Sequence, residues 1–338
     1  MLRALAKKGL GLMDRIAVSV APRAHCEGGS LVSVLFHSLY PDHSQPLDST
    51  LALDQNVTVE DFRAFVGHML QLGYTPVSPA EVDAGLARGG NHLMISFDDG
   101  YFNNTLALPV LEQFRVPATF FISCSHMLQG KAYWWDVLSR ELAQRGASRR
   151  AQKNEIEKMK SRTHDDIEAC LRMRFGDAAL RPRSDLDRPF APGELRDFAR
   201  SPWVHLGNHT CDHAILTNCC AQEVARQVQG CQDALRRLAG YAPIAIAYPN
   251  GNYSQTVVDV SLAAGLRVGL TVLPRRDALP LTAAGRMTLG RFSFEGGEDA
   301  RAQCRKFDAA FVPSNVLKKL RSSPHRGAPE PPQEQQAA

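Results

Sequence analysis

Ile95-Ser96-Phe97-Asp98-Asp99-Gly100-Tyr101 sets two adjacent carboxylates at the end of a short apolar run and releases the chain through a glycine. Along a strand, successive side chains leave on opposite faces, which would separate Asp98 from Asp99. At a strand end, Gly100 can take φ > 0 and turn the backbone so that both approach one site. Further on comes His209-Thr210-Cys211-Asp212-His213, with two imidazoles four residues apart, the spacing of one helical turn. One carboxylate and two imidazoles make a three-ligand site for a divalent cation with a position open to water, the arrangement of a hydrolytic rather than a structural metal. The remaining carboxylate is then free to move protons.

Outward from that stretch, short apolar runs alternate with helical periodicity, the rhythm of βα units around parallel strands. Strands are expected at Leu31–Phe36, His92–Phe97, Ala118–Ile122, Trp203–Leu206, Ile244–Tyr248, Arg267–Thr271 and Met287–Phe294. Helices are expected at Val59–Leu72, Thr105–Phe114, Gln222–Leu238 and Gln255–Ala264, with Thr58 and Ser254 as N-caps. The polar candidates Asp98, Asp99, His209, His213 and Asn250 all fall just past a predicted strand, where the active sites of α/β barrels are built. The segment from about 130 to 200 breaks the rhythm: it is long, charged and helical, and it reads as an insertion over the barrel mouth. Its opening, Tyr133-Trp134-Trp135-Asp136, is either the insertion's packing anchor or a platform for stacking sugars.

The 338 residues suffice for one large α/β domain with trimmings, and 44% hydrophobic with 22% charged residues is an ordinary globular composition. A net charge of +4, dispersed and without a basic stripe interleaved with aromatics, argues against nucleic-acid binding. The eight cysteines are scattered with no CxxC pair, so they read as reduced thiols rather than a disulfide framework or a zinc site. The N-terminal segment, residues 1–28, is basic and amphipathic, but it lacks an uninterrupted apolar core followed by a cleavage site. With no signal peptide and no apolar run long enough to span a membrane, a cytoplasmic location is expected; the basic segment reads as a helix packed on the domain, with peripheral contact at the inner membrane as the alternative. Residues 29–310 are assigned to the barrel, and the Pro- and Gln-rich stretch 311–338 to a largely disordered tail.

These motifs resemble the metal-dependent polysaccharide deacetylases, the chitooligosaccharide deacetylase homology domain or carbohydrate esterase family 4, over roughly Leu31 to Phe294. Ser96-Phe97-Asp98-Asp99-Gly100 is similar to the family's first motif, and His209-Thr210-Cys211-Asp212-His213 to its second. The resemblance implies a distorted (β/α)7–8 barrel, with the insertion over its mouth. It also implies Asp99, His209 and His213 as ligands of a divalent cation, Asp98 as base, and Thr210 as a hydrogen-bonded brace of the metal loop. Zinc is the first choice of metal, although a His₂Asp set also accepts cobalt, nickel or iron.

The third motif is met by Ala247-Tyr248-Pro249-Asn250-Gly251, which implies a substrate and oxyanion role for Tyr248, Pro249 and Asn250. Ala247 stands where the family carries an arginine, and Leu289-Gly290-Arg291 stands where it carries Leu-x-His. The two departures are linked here: Arg291 takes over orientation of the base, and the acid must come from elsewhere, because arginine gives up no proton near neutral pH. His37, past the end of the first strand, is the candidate acid. The implied activity is hydrolysis of an N-acetyl group from an amino sugar in a glycan or glycan precursor, a carbohydrate N-deacetylase acting on a non-peptide C–N bond. The alternatives are another amide, such as a formyl group on a lipid-linked sugar or a cyclic ureide, and a glycan-binding module without turnover.

Overall fold

The structure, a computed structural model, describes residues 28–42 and 56–309. The expectations for most of the amphipathic N-terminal segment and for the tail 311–338 lie outside the described residues.

Six parallel strands run in spatial sequence: β1 (Ser30–Phe36), β2 (Asn91–Phe97), β3 (Ala118–Ile122), β4 (Val204–Asn208), β5 (Ala245–Ala247) and β6 (Val268–Leu270). A seventh, β7 (Phe292–Ser293), pairs parallel with β1, and Leu289 just before it bridges to Leu270 of β6. The segment Leu289–Ser293 therefore touches both ends of the curled sheet and closes the distorted (β/α) barrel. Every residue of β1 is buried, and all but the first of β2, because the inner face packs in the barrel and the outer face lies under helices. In-register pairing from Ser30–Asn91 to Phe36–Phe97 brings the carboxyl ends of β1 and β2 to one rim.

The helices follow from caps and apolar stripes. In α1 (Val59–Gln71), Thr58 and Asp61 form a capping box, and Phe62, Phe65, Val66 and Met69 are buried at helical spacing. Their rings meet the strand residues: Phe62 lies 5.2 Å from Phe36 and 5.3 Å from Phe97. Truncating one such phenylalanine to alanine costs about 3–5 kcal/mol. Outside the barrel also lie α2 (Leu108–Phe114), then, beyond β3, a helical segment with α3 (Trp134–Gln144), α4 (Arg149–Met159) and α5 (His164–Phe175), followed by α6 (Ala221–Ala239) and α7 (Gln255–Ala263).

The helical segment between β3 and β4 carries its own small core of Trp134, Val137, Leu138, Met159, Ile167 and Leu171. Within it Arg140 and Asp187, both buried, pair at 2.9 Å. Among the described residues, no helix is long and apolar enough to cross a membrane.

The structure departs from expectation in two places. Met287–Phe294 is not one continuous strand: the chain changes neighbours midway, with Leu289 N–H bonding Gly269 O at 2.8 Å and Arg291 N–H bonding Leu273 O at 2.8 Å before β7 joins β1. His209 and His213 are not a turn apart on a helix. They occupy an irregular loop after β4 in which Thr210 (φ 64°) and His213 (φ 51°) are left-handed, which no α-helix permits.

Candidate active site

The barrel rim gathers residues from three strand ends and from the closing segment. Asp98 and Asp99 follow β2, His209 and His213 follow β4, Asn250 follows β5, and Arg291 comes from the closing segment. Asp99 (φ 75°) and Gly100 (φ 87°) are both left-handed, so the turn after β2 brings Asp98 and Asp99 together. At Gly100 a side chain would also strike Ile122 Cδ1, 2.9 Å from an added Cβ. Asp99, Thr210, His213 and Asn250 are four of the six non-glycine residues with positive φ among the described residues. Such conformations cost of order 1–3 kcal/mol each and persist where surrounding contacts over-determine them. At Thr210 the contacts are visible: its N–H bonds Asn208 Oδ1 at 2.9 Å, and its hydroxyl accepts from Ala214 N–H at 3.0 Å.

Asp99 Oδ1 lies 3.3 Å from both His209 Nε2 and His213 Nε2, and the three donor atoms fall within 4.8 Å of one another. His209 Nδ1 sits 2.7 Å from Ala247 O, which fixes the proton on Nδ1 and turns the Nε2 lone pair toward Asp99. Asp99 Oδ1 is buried with no hydrogen-bond donor among the described residues. Lone pairs facing one another in this way are satisfied by a divalent cation, so the donor set fits one. Burial would raise the Asp99 pKa, but the two imidazoles outweigh it and hold the carboxylate well below its usual range.

Asp98 is fully engaged with Arg291. The guanidinium donates from Nη1 to Oδ1 at 2.7 Å and from Nη2 to Oδ2 at 2.8 Å, a bidentate pair in which both side chains are buried. Two further bonds fix the arginine, Nη1 to Ser96 Oγ at 3.2 Å and Nε to Thr271 O at 2.8 Å. Burial pushes the Asp98 pKa up; Arg291 and His209 more than offset it and keep Asp98 below the ordinary carboxylate value.

These groups open into a cleft of about 670 Å³ that His37, Asn250 and Trp135 also line. His37 is half-buried, its carbonyl accepts from Asn104 Nδ2 at 2.6 Å, and its charge acts on both carboxylates. Asn250 is exposed at the rim. Tyr248 and Pro249, expected against substrate, are buried instead. The Tyr248 hydroxyl bonds Met287 O at 3.0 Å, so these residues support the Asn250 turn from behind.

The helical segment reaches the same centre through aromatic contacts that the sequence left open. Tyr133 donates its hydroxyl to the Asp99 carbonyl at 2.6 Å. Trp135 Nε1 donates to Tyr101 Oη at 2.9 Å, Tyr101 donates to Asp136 Oδ2 at 2.6 Å, and the Trp135 ring stands edge-on to His213 at 4.5 Å. The only sequence signal was the aromatic run itself; nothing in it pointed to Asp99.

A family model described as polysaccharide deacetylase matches residues 86–269, a span that takes in both metal-set motifs. The chain belongs to the polysaccharide deacetylase family. No curated protein sequence matches it. Among solved structures, the fold is similar to that of the deacetylase PplD from Streptococcus pyogenes, with 15% identity, a TM-score of 0.57 and coverage of 83% of this chain and 99% of that one. A polysaccharide deacetylase from Bacillus cereus is 16% identical with a TM-score of 0.56, covering 82% and 69% of the two chains. IcaB from Ammonifex degensii is 15% identical with a TM-score of 0.54, covering 85% and 100%. In this deacetylase the arginine beside Asp98 comes from the segment that closes the barrel, and Ala247 occupies the strand end where the family carries an arginine.

Proposed function

We propose that this polysaccharide deacetylase is a metal-dependent hydrolase that removes the acetyl group from an N-acetylated amino sugar in a glycan or glycan precursor. The observation that carries it is the Asp98–Arg291 pair beside Asp99, His209 and His213, all at the mouth of the family's barrel. A divalent cation held by those three ligands, zinc being the first candidate, would polarise an amide carbonyl and lower the pKa of water from 15.7 toward about 7.

The protein's own groups then divide the remaining work. Asp98, ionised and held in one orientation by Arg291, accepts the proton of the attacking water. The backbone N–H of Asn250 faces the developing oxyanion, where losing one such donor costs about 3–4 kcal/mol of barrier. His37, which lines the same cleft, donates a proton to the departing amine, a contribution typically worth about 10²–10⁴ in rate. Tyr133 holds the Asp99 backbone, and Trp135 limits rotation of the His213 ring. Residues 29–310 form the catalytic unit, with the helical segment as an insertion that shapes the cleft.

Purification with metal analysis, followed by mass spectrometry of acetylated amino-sugar substrates, tests the assignment. The expected result is loss of one acetyl group and release of acetate, both abolished together with bound metal in Asp99→Ala and His209→Ala proteins. Variants that keep full metal and activity would overturn it, and formate release from a formylated sugar in place of acetate would move the substrate to another amide.

A further inference from the structure

One face of α4 lines the cleft with Arg149, Gln152, Lys153, Ile156 and Glu157, at helical spacing, and Lys160 and Arg162 continue the wall beyond its end. Four cations and two carboxylates, Glu157 and Asp136, thus line the cleft from the helical segment, and Asp136 is buried and accepts from the Tyr101 hydroxyl at 2.6 Å. Glu157 pairs with Lys160 at 2.7 Å. Arg149 and Arg162 join no carboxylate in an ion pair among the described residues. The outward face of the same helix is balanced differently, with Lys158 paired to Glu155 at 2.6 Å.

The wall is fixed in position. Asn218 Nδ2, shortly after the His213 loop, donates to Lys160 O at 2.8 Å and to Arg162 O at 3.4 Å. The cation-bearing turn is therefore tied to the loop that supplies His209 and His213. A guanidinium is a planar fork matched to phosphate and carboxylate oxygens, and the cations of this wall stand on the side of the cleft formed by α4 and the turn after it, apart from Asp98 and Asp99 at the strand ends. A neutral chain of acetylated amino sugars offers this wall hydrogen-bond acceptors but no countercharge. Its deacetylated product, an ammonium-bearing chain, would be repelled by it.

Resting on the deacetylase reading above, we propose that the substrate is an acetamido sugar carrying an oxyanion, a phosphate ester or a carboxylate, which Arg149, Arg162 and the α4 face hold while the acetamide lies at Asp98 and Asp99. The acidic group orients the sugar, and its charge offsets that of the amine formed on hydrolysis.

Three probes test this with the full-length, zinc-loaded protein: the neutral tetramer of N-acetylglucosamine, uridine diphosphate N-acetylglucosamine for phosphate, and a hyaluronan tetrasaccharide for carboxylate. Binding is measured by calorimetry in the Asp98→Asn protein, and acetate release in the unsubstituted one. At least one acidic probe is expected to bind about tenfold or more tighter than the neutral tetramer, with a preference that weakens as salt rises. In an Arg149→Gln, Arg162→Gln double variant that keeps its zinc, that preference should fall toward one, through KM rather than kcat where turnover is seen. Preference for the nucleotide sugar alone assigns phosphate, and preference for hyaluronan alone assigns carboxylate. Equal or tighter binding of the neutral tetramer overturns the proposal, as does a preference that the double variant retains. Binding preference with no acetate from any probe would remove the deacetylase reading and leave the anion site standing.

Discussion

Replacing Arg291 by methionine isolates the interaction on which the proposed base depends. The substitution keeps an unbranched apolar stem and removes two charge-assisted hydrogen bonds to Asp98, along with those to Ser96 and Thr271. Breaking one side of a buried ion pair typically costs about 3–5 kcal/mol, because the partner charge is left without compensation. The same loss changes the protonation of Asp98. With Arg291 present, the carboxyl lies below its ordinary value despite burial. Without it, burial is opposed mainly by His209, and the pKa should rise.

The sign follows from linkage. A carboxylate whose folded pKa is depressed contributes stability that is present above its unfolded pKa near 4 and is lost as pH falls through the folded value. The variant should therefore be destabilised most near neutral pH, and its deficit should shrink as pH is lowered toward the carboxylate range. Urea unfolding at several pH values measures the deficit, and the acid limb of kcat/KM for acetate release measures the base. The limb should move to higher pH in Arg291→Met, with metal content unchanged. Lysine at 291 should recover charge but not the bidentate geometry, giving an intermediate limb and low kcat. An unmoved acid limb together with a stability loss under about 1 kcal/mol would refute the pairing as the source of either property.

Other perturbations read other parts of the site. His37→Ala should lower kcat by about 10²–10⁴ while metal occupancy stays intact, and unchanged turnover would remove His37 as the acid. Tyr133→Phe deletes the bond to the Asp99 carbonyl, at a cost of about 1 kcal/mol in stability, and should weaken zinc affinity measured by competition with a chelator. Affinity equal to the parent protein's would show that Asp99 needs no such support. Burial, reinforced by the charges of His164 and His213, pushes the His126 pKa down to about 4. The unfolded chain then binds the extra proton first, so stability should fall by about 3 kcal/mol as pH drops from 6.5 to 4. A His126→Asn protein should lack that component, and parallel stability curves for the two proteins would contradict it.

Most of the barrel was legible because its strands are short apolar runs closed by polar residues. Ala118–Ile122 begins and ends where the apolar run does, and α1 starts at the Thr58 cap. Legibility failed where tertiary pairing, not local pattern, sets the conformation. Met287–Phe294 reads as one strand, yet it serves two neighbours in turn; His209–His213 has helical spacing, yet it lies in a loop held by Asn208 and Thr210. The contact of Arg291 with Asp98 could be anticipated from two coupled motif departures, one residue missing and one out of place. The Tyr133 bond to Asp99 could not, because it joins an insertion to the rim across 34 positions without any pattern that names its acceptor. Tyr248 was misplaced for a related reason: an aromatic beside a motif looks like a substrate contact until its hydroxyl is found bonded to Met287 in the core.

Arg291 sits on the segment that completes the ring, 193 positions after the carboxylate it holds. Contacts of such sequence separation form late, since the loop entropy must be lost before they contribute. A chain that has assembled β1 through β6 but not yet docked Leu289–Ser293 therefore has its proposed metal ligands in place and its base without a countercharge. Closure of the barrel and arming of the base are then a single folding event, so amide hydrolysis would begin only in molecules whose last strand has docked.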